Sequence, residues 1–111
     1  MAEAKTIRVF WPQQTSGWHH FFWGDLIDEY SVVHISAAEG YLVQDLREGD
    51  QWKIRRKKGD IIVSVKNIAP HTDGEAKGVN FYLEIGSVFT TADIALDITV
   101  LGVPDDGQII N

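Results

Sequence analysis

One hundred and eleven residues, 44% of them hydrophobic and 23% charged, describe one globular domain over residues 1–111 and argue against disorder. Sixteen acidic against ten basic residues give a formal net charge of −6, which disfavours general attraction to a nucleic-acid backbone. With no cysteine, the chain has no disulfide framework, no thiolate metal site and no cysteine nucleophile.

In chain order, the apolar pattern has period two almost throughout, the signature of half-buried strands. Thr6 to Trp11 alternates, with Ile7, Val9 and Trp11 on one face. Trp18 to Trp23 is six consecutive ring side chains bounded by Gly17 and Gly24. Asp25 to Tyr30 is short enough for one helical turn capped by Asp25. Tyr30 to Ala38 carries Val32, Val33 and Ile35, and Tyr41 to Leu46 reads as a separate run. Gln51 to Lys57, Asp60 to Lys66, Val79 to Ile85 and Ile94 to Leu101 each alternate. The inward sets of the last three are Ile61, Val63 and Val65; Val79, Phe81, Leu83 and Ile85; and Ile94, Leu96, Ile98 and Val100. A second short turn is expected at Thr90 to Asp93.

Glycine-containing turn chemistry separates these runs. Glu48-Gly49-Asp50 and Lys58-Gly59-Asp60 read as consecutive turns of a β-meander. Pro70 to Gly78 reads as a longer loop, tightest at Asp73-Gly74, and Pro104 to Gly107 closes the last strand. The sum is an all-β chain, an antiparallel β-sandwich of about eight strands. Asp93 to Pro104 resembles the closing strand of an immunoglobulin-like or jelly-roll-like sandwich, an architectural resemblance without a specific motif.

The ring-rich strand is the least ordinary segment. Alternation places Trp18, His20 and Phe22 on one face and His19, Phe21 and Trp23 on the other. A sandwich strand needs only one apolar face. The second set is therefore covered by a loop, a terminus or another subunit, or it is a binding surface. Exposed aromatic rings suit sugars and protein partners. The expectation is a non-enzymatic, lectin-like module binding carbohydrate, with Trp18, His19, Trp23 and Tyr30 as ligand-binding residues. Asp25, Asp28 and Glu29 follow directly, so Asp25 and Asp28 are the candidate calcium ligands, the cofactor being calcium or none. The plainer reading makes Asp25 and Asp28 turn caps.

Lys53, Arg55, Arg56, Lys57 and Lys58 hold half of the positive charge within six residues. Lys53, Arg55 and Lys57 share one strand face opposite Ile54 and Arg56. That pattern protects a sheet edge, or meets an acidic patch on another copy. A structural homo-oligomer assembled through the aromatic and basic strands is the alternative function, with carbohydrate or another protein as partner and nucleic acid disfavoured. Lys58-Gly59-Asp60 to Pro70-His71 resembles the second half of a cupin, where a Gly-Asp turn precedes Pro and a metal-binding His. This resemblance implies a small metalloprotein using His20, His34 and His71, although the first-half His-x-His with its downstream Glu has no counterpart.

No Gly-x-Ser-x-Gly, phosphate-binding glycine loop or dinucleotide turn is present, which disfavours an enzyme. No apolar run approaches the roughly 18 residues of a spanning helix. None precedes Ile7 as a secretory signal requires, so a cytoplasmic protein, or one exported without a classical signal peptide, is expected.

Overall fold

A computed structural model describes residues 4–45, 51–73, 76–86 and 90–110. Among them seven strands form two antiparallel sheets: β1 (Lys5–Gln14), β2 (Gly17–Phe22), β3 (Val32–Asp45), β4 (Gln51–Arg56), β5 (Val63–Asp73), β6 (Ala76–Ile85) and β7 (Ala92–Gly102). One sheet has the order β1-β7-β3-β4 and the other β2-β6-β5. The fold class is the expected β-sandwich.

Its centre is built from the two middle strands. Val79, Phe81, Leu83 and Ile85 of β6 and Ile94, Leu96, Ile98 and Val100 of β7 are all buried. These are the sets that alternation placed inward. Strands between two neighbours expose least edge, so period-two patterning is cleanest there. Val33, Ile27 and Ala92 complete the cluster, with Val9, Trp11, Ile35, Val63 and Val65 packed around it.

Seven strands replace the expected eight because two runs merge. Glu39 still pairs with Ile94 of β7, while the next residue, Gly40, pairs with Arg56 of β4. The strand changes partner there without turning. Gly40 permits this by close approach, since a Cβ on it would lie 2.6 Å from the Ala95 Cβ. A glycine that looks like punctuation is a contact point.

Four further expectations are corrected. Lys58-Gly59-Asp60 is no hairpin turn, because β4 and β5 belong to different sheets and this segment crosses between them. Glu39 anchors the crossing: its backbone carbonyl accepts from Lys57 N–H (3.0 Å) and its carboxylate from Ile61 N–H (3.0 Å). Most of the expected Pro70 to Gly78 loop is strand, since Pro70, His71 and Thr72 of β5 pair with Val79, Gly78 and Lys77 of β6. A register shift between Lys66 and Ala69 precedes it, with Asn67 at φ 51°. Pro70 is tolerated because β5 ends its sheet and has a neighbour on one side only. Asp25 to Tyr30 forms turns rather than a helix, with Leu26 and Ile27 N–H both donating to the Trp23 carbonyl (3.0 Å each). Thr90 and Thr91 lead directly into β7. Glu48-Gly49-Asp50, Leu46 and Gly74 lie outside the described residues.

On the outer face of the four-stranded sheet, Asp97 takes a two-point ion pair from Arg8 (2.6 and 2.9 Å) and a third bond from Arg56 (2.9 Å). β1 and β4 are separated by two strands, yet Arg8 also donates to the Ile54 carbonyl (3.2 Å). The sheet curls enough for its edges to be tied across Asp97. Hydrogen bonding from Arg8 holds the Asp97 carboxyl below the usual aspartate range; burial opposes it, and the hydrogen bond from Arg56 with the charges of both arginines adds to the lowering. A carboxyl with a lowered folded pKa stabilises above its unfolded pKa, and that contribution fades as pH falls through the folded value. Asp97→Asn is therefore expected to cost about 1–2 kcal/mol at pH 7, given partial exposure of all three groups. In wild type the contribution should disappear progressively below about pH 4. Urea unfolding at pH 7 and pH 3 checks this: the gap between wild type and variant should narrow at the lower pH, and an unchanged gap contradicts it.

Candidate functional site

The candidate site is the outer face of the three-stranded sheet. Register fixes which side chains share it. Trp18, His20 and Phe22 of β2 stand opposite Tyr82, Asn80 and Gly78 of β6, and His71 of β5 stands opposite the same Gly78. Trp18 is 62% exposed and Phe22 64% exposed, large values for aromatic side chains on a strand. Tyr82 meets the Trp18 ring edge-on (centroids 5.6 Å, 83°), which fixes the indole without covering it.

The opposite face of β2 is core. His19 stacks on Trp11 (5.6 Å) and Phe81 (5.9 Å), with its Nε2 3.2 Å from the Thr15 carbonyl oxygen. Phe21 and Trp23 pack against the buried cluster and touch edge-to-face at 6.0 Å. The two faces that alternation separated are thus separated in space. One is covered by the second sheet, and the other is open.

Glycine 78 shapes the middle of the open face. Side chains from β2 and β5 are ordinarily held apart by the residue of β6 between them. Here that residue has no side chain, and a Cβ on it would lie 2.9 Å from the His20 Cε1. The His20 and His71 rings close over this gap, with centroids 4.6 Å apart and their Nε2 atoms 2.5 Å apart. Phe22 flanks His20 at 4.0 Å. Burial, and then the neighbouring charge of His71, push the His20 pKa below the ordinary histidine value, so the ring is neutral at pH 7. Its Nδ1 is buried without a hydrogen-bond partner.

The expected ligand-binding residues are therefore divided. Trp18 lies on the open face. His19 and Trp23 turn inward, because residues one and five positions from Trp18 carry the opposite strand parity. Tyr30 is exposed in the connection between β2 and β3, where its N–H donates to Asp28 Oδ1 (2.9 Å). Of the expected calcium ligands, Asp25 is exposed, while Asp28 closes a local turn by accepting also from the Ser31 hydroxyl (3.3 Å). That is the turn-cap role. His34 is exposed on the outer face of the four-stranded sheet, opposite Thr99, so His20, His34 and His71 do not converge. Among the described residues no group of three or more His, Cys, Asp or Glu side chains is placed to hold a metal.

The basic strand β4 lies at a sheet edge, as its charge pattern predicts. Arg56 is drawn into the Asp97 pair, Lys57 Nζ lies 3.7 Å from Glu39, and Arg55 sits over the Tyr41 ring at 5.9 Å. Trp52 and Leu42 are exposed on the same hairpin. Among the described residues no helix is long and apolar enough to cross a membrane.

Tyr82 and Gly78 were not singled out by sequence reasoning, although the alternation of Val79, Phe81 and Leu83 already places Asn80 and Tyr82 on the other face. No family model, curated protein or solved structure matches the chain.

Proposed function

We propose that the chain is a non-enzymatic, lectin-like binding module that takes carbohydrate on the outer face of its three-stranded sheet. The observation that carries this reading is the pair Trp18 and Phe22, both more than three-fifths exposed on one face of one strand. Four strand steps separate them by about 13 Å, more than one sugar ring spans, so the ligand is an oligosaccharide. The C–H faces of its sugars stack on the two rings, and Asn80, opposite His20 between them, is available to its hydroxyls.

A glycan array probed with wild type and Trp18→Ala, with and without calcium, tests this. Loss of the indole is expected to lower affinity by about 2 kcal/mol, roughly thirtyfold, the scale of an aromatic anchor. Because Trp18 is mostly exposed, the variant should melt close to wild type. Absence of binding to every glycan at millimolar ligand sinks the reading.

A second reading is homo-oligomerisation through the aromatic and basic strands. It draws support from topology: β2 and β4 each end their sheet and each presents an exposed tryptophan, Trp18 and Trp52. Light scattering at micromolar concentration decides it, and a strict monomer removes it.

A further inference from the structure

We infer that His20 and His71 form an open two-histidine site for a divalent transition metal of the Cu²⁺, Ni²⁺ or Zn²⁺ class. The inference stands apart from the carbohydrate reading and needs only the His pair.

Three features converge on one point. First, the two histidines come from β2 and β5, the outer strands of the sheet, and meet above β6. Their approach depends on Gly78, the only residue type that leaves room there. Second, the atoms that face each other are the two Nε2 atoms, at 2.5 Å. Two lone pairs or two N–H groups that close would repel, so the pair holds one hydrogen, donated from one Nε2 to the other, and a metal ion bound by both lone pairs can take its place. Third, the Phe22 ring packs against His20 (centroids 4.0 Å) and fixes the orientation in which its Nε2 faces His71.

Imidazole nitrogen suits copper, nickel and zinc, and the Irving–Williams order makes Cu²⁺ the tightest of the three. At metal–nitrogen distances of about 2.0–2.1 Å, a tetrahedral angle requires the nitrogens about 3.3 Å apart. The pair must therefore open by about 0.8 Å, within reach of a small rotation of the half-buried His71 ring. Two protein ligands leave the other positions to water, so the ion is exchangeable. Metal at Nε2 places the remaining proton on Nδ1. At His20 that atom has no partner to orient it, which keeps affinity moderate rather than that of a structural site.

Metal-stripped protein without a histidine tag is titrated with Zn²⁺ while the imidazole nitrogens are followed by NMR, and with Cu²⁺ by calorimetry. The Nε2 resonances of His20 and His71 should shift together and saturate at one ion per chain, with His19 and His34 unchanged. His20→Ala, His71→Ala and His71→Asn should each abolish saturable binding, and His34→Ala should keep it. A saturating wild-type response is itself informative if an alanine variant fails to fold. Unresponsive His20 and His71 rings, or binding that survives in His71→Asn, overturn the proposal and leave a proton as the only occupant between the rings.

Discussion

Phe81→Ala is expected to cost about 3–5 kcal/mol, the range for emptying an aromatic site in a packed core. Phe81 is fully buried at the centre of β6. Trp11 lies nearly parallel to it (6.1 Å, 9°), and His19 stacks on it at 20°. The cavity cannot collapse readily. Trp11 is carried by β1, whose ladder to β7 is continuous from Lys5 to Trp11, and His19 is held by the ladder of β2 to β6. Both backbones would have to move to refill the volume. The corner joining β1 and β2 resists this as well, since Ile85 N–H donates to the Ser16 hydroxyl (2.8 Å) and Gln13 N–H to the Asp93 carboxylate (2.9 Å). Domains of this size are stable by only about 5–15 kcal/mol, so the loss is a large fraction of the whole. Denaturant unfolding measures it directly. A loss under about 1.5 kcal/mol would mean that the site relaxes or that the ring stack is not where the packing is tightest.

Gly78→Ala is the second large effect, and the addition is one methyl group. A Cβ at this position would lie 2.2 Å from the Phe21 carbonyl oxygen, which is backbone and cannot swing aside. It would also press on the His20 ring from below. The strand must separate locally from β2, at about 1–3 kcal/mol for overpacking a tight site. The usual benefit of replacing glycine, about 0.4–1 kcal/mol from the unfolded chain, is too small to offset this. Gly107→Ala is the matched control, because nothing lies within 4 Å of its added Cβ. The expected pattern is a clear drop in the urea midpoint for Gly78→Ala with loss of the His20–His71 contact, read from the imidazole resonances, and no drop for Gly107→Ala. Equal stability of the two variants with unchanged His20 resonances contradicts the close approach.

Much of the fold was legible because two strands carry perfect alternation. Val79 to Ile85 and Ile94 to Val100 place their core residues by parity alone, and both are central strands that pack on the other sheet. Gly59 looks like a turn residue, yet it sits in a crossing between sheets, and Gly40, between two runs that read as separate strands, is a close contact within β3. Local sequence carries the small size of glycine but not which neighbour requires it. The same limit applies to the site. Parity divided Trp18 from His19 correctly, but only the position of the second sheet decides which set is covered. His71 looked like a loop residue because Pro70 precedes it, whereas β5 ends its sheet and tolerates the proline. The His20–His71 contact joins residues 51 positions apart across a strand that contains neither. No spacing rule reaches that far.

The open face is tested most directly by titrating the isotope-labelled protein with the tightest glycan from the array and mapping the perturbed resonances. The Trp18 indole, Phe22 and Tyr82 should shift first and saturate together, while Trp52 on β4 and the half-buried Trp11 stay unchanged. Perturbations centred on Trp52, or none on the three-stranded sheet, would contradict the assignment of this face as the binding surface.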